Sequence, residues 1–319
     1  MLSVAMIGAL LLASPVLAKP SPPAAEEFLP RCAAAAPKQP CSVALTVDPA
    51  TATKRLTDRN HIWWLDGDTL TVVARVGDQG WPMLCCAIQA PLEPLGPGGL
   101  AALSVRVPRM EEALIDVAVL QGTMLEPPQA IRGPKAPPAP RQVEKLEGTV
   151  TRTKFKSDHL GEERGLFIYV PLGPPPPAGF PVIYMADGGG LELAKIAEAS
   201  VGDGRSSPAM IVGIQNAVGP SSECTHSPCD RRMLEYTPTA SPQKLVAGSP
   251  FQRHLSFVTD ELMAFIERTY PASSNRNDRI VAGYSNGGVW AFSAAALRPA
   301  AFGKVLAMSS GNSSSIARS

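Results

Sequence analysis

The sequence is poor in charge. Asp, Glu, Lys and Arg make up 18% of its 319 residues, below the usual quarter, and the net charge is +1. A near-neutral chain gives no electrostatic reason to expect nucleic acid or an anionic membrane as partner. Beyond the first 18 residues no run is apolar enough to span a bilayer, and no internal repeat is visible. Metal binding has little support either. Cys224 and Cys229 stand in a Cys-x4-Cys spacing with His226 between them, but no second half-site follows. No metal and no cofactor is expected.

What the chain does contain is apolar. Hydrophobic residues at 45% suffice for a real core, and the length fits one large domain or two ordinary ones. Residues 1–18 read as a signal peptide: an apolar run with small residues at Val16-Leu17-Ala18 before Lys19-Pro20. The run lacks a Lys or Arg at its start, and an uncleaved anchor is the alternative. A signal peptide implies a periplasmic or extracellular protein with no stable membrane span after cleavage. The six cysteines fit an oxidising compartment. Cys32 with Cys41, and Cys224 with Cys229, each suit a small disulfide loop. Cys85 and Cys86 are adjacent on an expected strand and point to opposite faces. The four cysteines before residue 123 allow three connectivities, and the sequence does not choose.

The 33 prolines mark the organisation. Residues 19–40 are a Pro/Ala-rich flexible lead-in. Across 41–123 apolar residues alternate: Val43, Leu45, Val47; Leu70, Val72, Ala74, Val76; Leu103, Val105, Val107; Ile115, Val117, Val119. Turn signals at Asp66-Gly67-Asp68, Gly77-Asp78 and Gly96-Pro97-Gly98-Gly99 separate them, which predicts a small Ig-like β-sandwich. Trp63 and Trp64 read as core or edge packing within a further strand rather than as a sugar platform. Residues 124–146, with Pro127-Pro128, Pro134 and Pro137-Pro138-Ala139-Pro140, predict an extended, semi-rigid linker. From 147 to 319 the pattern changes. Strands are predicted at 149–156, 164–171, 181–185, 209–214 and 305–308, and helices at 191–199 and 251–270. Buried-type strands alternating with helices predict a mostly parallel α/β sheet.

One motif in that half carries chemistry. Gly283-Tyr284-Ser285-Asn286-Gly287-Gly288 follows the apolar run Ile280-Val281-Ala282 and precedes a small-residue helical pattern. A Gly-x-Ser-x-Gly turn between strand and helix lifts a serine hydroxyl to the top of a sheet. Gly283 and Gly287 belong there because so tight an elbow has no room for a Cβ. A plain Gly/Ser turn is the competing reading, and the strand, the helix and the third glycine count against it.

Taken with Phe167-Ile168-Tyr169-Val170-Pro171, residues 182–189, Glu235-Tyr236-Thr237-Pro238, Glu261-Leu262 before Tyr270, and Ala301-Phe302-Gly303, the elbow completes a series. Over residues 147–311 the chain resembles α/β-hydrolases of the esterase D and enterochelin esterase type. A sandwich ahead of the hydrolase domain is also similar to the enterochelin esterase arrangement. The resemblance implies a small-molecule ester as substrate and Ser285 as the nucleophile of an acyl-enzyme mechanism. It implies an oxyanion hole from the backbone of Asn286 and of Gly188 or Gly189. Asp187 reads as a turn residue, and Arg231, Arg232, Glu235 and Tyr236 as a structural network under the site loops. In such a fold the acid and the histidine follow the serine. Here 34 residues follow Ser285, none of them Asp, Glu or His. The expectation is a C-terminally truncated hydrolase domain, lacking its last strands and impaired as written. His61, His159, His226 and His254 precede the serine, and none is expected to replace the base; His226, in the loop after the 209–214 strand on the active-site edge of such a sheet, comes nearest to that role. A non-catalytic pseudo-hydrolase that binds a ligand, or an acyltransferase like the related mycolyltransferases, is the alternative.

Overall fold

In the first of the chain's two units, Met1–Pro137, alternating side chains build two antiparallel sheets around one core. The structure is a computed structural model and describes residues 28–33, 38–78, 80–121, 124–125, 128–223, 230–238 and 246–310. The expected signal peptide, Cys224, Cys229 and His226 lie outside the described residues. In chain order this unit holds β1 (Cys41–Val43), α1 (Pro49–Leu56), β2 (His61–Asp66), β3 (Thr69–Arg75), β4 (Met83–Cys86) and β5 (Ala90–Pro91). It continues with β6 (Glu93–Pro94), β7 (Leu100–Arg106), β8 (Leu114–Gln121), β9 (Met124–Leu125) and β10 (Gln129–Arg132). One sheet runs β1-β7-β3-β2, with β6 also on β7. The other runs β10-β8-β4-β5, with β9 also on β8. Leu70, Val72, Leu103 and Val105 of the first meet Leu84, Val117 and Val119 of the second. A disulfide joins Cys32 to Cys41, with Cα atoms 5.0 Å apart, and Cys85 is disulfide-bonded as well.

Two findings correct the sequence expectation for this unit. The alternation through Leu45 and Val47 does not continue as a strand beyond Val43, because a helix begins at Pro49. Asp48 caps it, its carboxylate accepting from the N–H groups of Ala50 and Thr51 at 2.9 Å each. Ala52 and Leu56 of this helix cover Val73 and Ala102, so β3 and β7 are buried on both faces. The second correction concerns 124–146. Within this expected linker, β9 and β10 pair with β8, and Ile131 is buried opposite Ile115. A proline beside a short edge strand costs no ladder bond, so the Pro-rich composition is compatible with pairing.

The second unit, Pro138–Ser319, carries the predicted mostly parallel sheet. Its elements are β11 (Thr149–Ser157), β12 (Glu162–Val170), β13 (Val182–Met185), α2 (Leu191–Gly202), β14 (Met210–Ile214), α3 (Arg231–Tyr236), α4 (Pro250–Ser256), α5 (Met263–Thr269), β15 (Arg279–Tyr284), α6 (Asn286–Leu297) and β16 (Lys304–Met308). Strand order is β11-β12-β14-β13-β15-β16, with β14, β13, β15 and β16 parallel and β11 and β12 antiparallel to their neighbours. All five residues of β14 are buried, the pattern of a strand covered on both faces. On one face Tyr184, Val212 and Val281 pack against Phe251, Leu255, Ile266 and Trp290 from α4, α5 and α6. On the other, Phe167, Tyr169 and Ile211 meet Ala194 of α2. The helix expected over 251–270 is continuous but changes pitch. Residues Phe257–Leu262 between α4 and α5 are π-helical.

Among the described residues β16 is the sheet's edge, and all five of its side chains are exposed. Val305, Leu306 and Met308 are 39%, 46% and 41% exposed. An apolar edge strand is a template for pairing with another chain. Leu306→Lys is expected to reduce self-association in sedimentation velocity while changing stability by no more than about 0.5 kcal/mol. A wild-type chain that stays monomeric at high concentration counts against this.

Candidate active site

The parallel strands β13, β14 and β15 end on one edge of the sheet, where open α/β sheets place their ligand sites. Ser285 lies at the junction of β15 and α6. Its backbone adopts φ 55°, ψ −124°, a sparsely populated conformation for a residue with a Cβ. Neighbours hold it there. The Ser285 N–H donates to the Met308 carbonyl at 3.0 Å, and its carbonyl accepts from Gly288 N–H at 2.9 Å and Val289 N–H at 3.1 Å. A Cβ added at Gly283 would collide with the Gly287 carbonyl, so β15 turns into α6 with no space to spare. Asn286 occupies the first position of α6, where a backbone N–H has no acceptor within the helix.

After Met185 the chain makes a tight turn, Ala186–Gly188, that touches both β15 and α6. A Cβ on Gly287 would lie 2.9 Å from Asp187 Oδ2 and 3.0 Å from Ala186 Cβ. The absence of that carbon lets the turn settle onto the first turn of α6. Asp187 and Gly188 are left-handed, at φ 64° and φ 65°. A short polar side chain tolerates this at a cost, and glycine at none.

Helix α3 secures the turn from below. Arg232 holds the Asp187 carboxylate at two points, Nε to Oδ1 at 2.5 Å and Nη2 to Oδ2 at 2.8 Å. Its guanidinium also lies over the Tyr236 ring, 5.1 Å from the centroid. The Asp187 N–H donates to Tyr236 Oη at 2.9 Å. Burial, followed by the Asp187 charge, pushes the Tyr236 hydroxyl's pKa up, so it stays protonated. Asp187 is thus a turn residue, held by side chains of α3. One step further out, Arg164 is buried between two carboxylates, Glu235 at 2.7 Å and Glu162 at 2.8 Å. Glu235 also accepts from Ala217 N–H at 3.2 Å, and Arg231 reaches Glu162 at 2.7 Å. The expected network of Arg231, Arg232, Glu235 and Tyr236 is therefore present. The buried Arg164 at its centre was missing from that expectation, because its partner Glu235 is 71 residues away and no local pattern joins them.

Neither described histidine of this unit is placed to serve Ser285. His159 sits in the β11–β12 hairpin, 3.7 Å from Asp260. Three strand spacings separate β12 from β15, on the order of 14 Å, beyond hydrogen-bond reach. His254 is fully buried among Tyr236, Phe257 and Trp290, on the core side of α6. Burial, with the Arg164 charge second, lowers its pKa to about 3. His61 belongs to β2 of the first unit.

A mostly parallel sheet, a strained serine between strand and helix, and a fixed turn after the neighbouring strand define the class: an α/β-hydrolase domain. The chain belongs to the Esterase family, whose model, described as "Putative esterase", matches residues 157–316. The ferri-bacillibactin esterase BesA of Bacillus subtilis (strain 168) is 30% identical over 153 residues, 43% of this chain and 50% of that protein. The chain thus spans about half the length of this curated relative. The crystal structure of ferric enterobactin esterase from Salmonella typhimurium superposes with a TM-score of 0.50 at 14% identity, covering 82% of this chain and 77% of that one. That likeness concerns the fold alone.

Two outcomes test this description of the site. Tyr236→Phe leaves the Asp187 N–H without its acceptor and is expected to destabilise the protein by about 1–3 kcal/mol in denaturant melts. No loss would show that the turn is held otherwise. For His254, the unfolded chain binds a proton below about pH 6.5 that the native core refuses until about pH 3. Stability is then lost as pH falls through that window, by about 1.4 kcal/mol per unit of pH. His254→Phe should make the pH dependence of ΔG shallower there, and an unchanged slope would contradict the burial argument.

Proposed function

We propose that the protein is a serine carboxylic-ester hydrolase that acts through an acyl-enzyme on Ser285. The single observation behind this is the strained Ser285 elbow with the 186–188 turn seated on the same helix start. In this reading Ser285 Oγ attacks the ester carbonyl carbon and the carbonyl oxygen becomes an oxyanion. The N–H of Asn286 and of Gly188 or Gly189 receive it, since the N–H of Asp187 is already given to Tyr236. The positive end of the α6 dipole lies beneath the developing charge. Collapse breaks the ester C–O bond, the proton lost by Ser285 passes to the departing alkoxide to give the alcohol, and an ester is left on Ser285; water then hydrolyses it, releasing the acid and restoring the hydroxyl.

The name of one relative, for ferri-bacillibactin, supports a small-molecule ester as substrate. Export to the periplasm or beyond belongs to the same proposal, and the Cys32–Cys41 disulfide supports it. Proton transfer from Ser285 needs a base that the described residues of this unit do not bring within reach. The 319-residue polypeptide is therefore proposed to turn over weakly. A second reading, ligand binding in the same cleft without catalysis, draws on that observation.

Incubation with a neutral alkyl fluorophosphonate followed by peptide mass spectrometry tests the nucleophile. Modification is expected at Ser285 and should vanish in Ser285→Ala. Modification only elsewhere, or none, would overturn it. Hydrolysis of an activated ester is expected to reach only about 10³–10⁴ over water, the level that the oxyanion hole and binding leave when a triad is broken, and Ser285→Ala should change it little. Robust Ser285-dependent turnover would sink the claim of weak activity.

A further inference from the structure

Beside the 186–188 turn lies a groove of about 390 Å³ that the chemistry described so far does not use. Gly188 and Gln215 bound it toward the turn, Phe167 and Leu191 supply apolar surface, and Arg152 and Lys154 stand along its β11 side. Two residues apart on one strand, these cations share a face, and the register sets them opposite Phe167 and Gly165 of β12. The Arg152 guanidinium lies 5.4 Å from the centroid of the Phe167 ring, which ties the charge to the aromatic surface.

The groove's lining holds these two cations and no carboxylate. Across Gly165 and Gln215 a second groove of about 420 Å³ is different. There Glu162, Glu163 and Asp187 stand with Arg164 and Arg231. The two sides of the turn thus differ in sign. Lys154 does pair with Glu163 at 3.5 Å, but both ends are more than half exposed, and such pairs are weak. A concave surface of one sign with apolar walls concentrates its field on whatever enters.

We propose that this groove selects esters whose non-reacting limb carries a negative charge beside an apolar or aromatic body. The charge lies near Arg152 and Lys154, and the body lies on Phe167 and Leu191. Gly188 bounds the groove and also belongs to the proposed oxyanion turn, so a limb held here leaves its ester carbonyl beside Ser285. This inference rests on the reading of Ser285 as nucleophile.

The test separates the two. Phenylacetate and its uncharged analogue phenylacetamide are titrated calorimetrically into Ser285→Ala at low and high salt. The acid is expected to bind about tenfold more tightly than the amide at low salt, and the margin should shrink as salt screens it. In the double variant Arg152→Gln, Lys154→Gln the preference should collapse while amide binding persists. That persistence also shows that the groove is intact. Equal affinities, no binding of either ligand, or a preference that survives the double substitution overturns the inference. Failure of the nucleophile reading shows differently: no phosphonylation of Ser285 in a chain that still prefers the acid.

Discussion

The close approach of β15 to α6 is the constraint on which the rest of the site depends. Without a side chain at Gly283 the helix starts directly beneath the serine, and without one at Gly287 the turn after β13 rests on that helix. The turn must then be left-handed at two successive residues, which a free loop would not hold. Arg232 and Tyr236 hold it, and α3 is in turn anchored through Glu235 to the buried Arg164 of β12. The geometry at Ser285 is therefore fixed by a chain of contacts that runs from one side of the sheet to the other.

Some of this was written locally and some was not. The elbow was legible because its glycines and serine lie within six consecutive residues and act over that distance. The parallel sheet was legible because strands buried on both faces need continuous apolar runs, as in β14. Helix α1 escaped because Leu45 and Val47 keep up an alternation where the backbone has already left the sheet. Its real signals were Asp48 as cap and Pro49 as first residue. The strand β10 escaped because prolines on both sides suggested a linker, whereas an edge strand tolerates them. Arg164 and the cationic groove were invisible for other reasons: the partner of Arg164 comes from α3, 71 residues on, and only the β11–β12 register sets Arg152 and Lys154 opposite Phe167 and Gly165.

Several ion pairs of the second unit meet behind one turn, and Arg164 is only 3% exposed between its carboxylates. A buried ion pair seldom adds net stability over an apolar replacement, but removing one partner strands the other at a cost of about 3–5 kcal/mol. Such a network fixes one arrangement of its loops and penalises the alternatives. That suits a turn whose backbone must stay in an unfavourable region.

Residue 285 itself is a place where fold and chemistry want different amino acids. At φ 55°, ψ −124° the serine carries a conformational penalty on the order of 1–3 kcal/mol that a glycine would relieve. A chain shaped for stability alone would place glycine at 285, between two positions that already need small residues. The hydroxyl is thus a standing debit against folding, and its presence is better accounted for by what an oxygen can do at that point than by anything it contributes to holding the domain together.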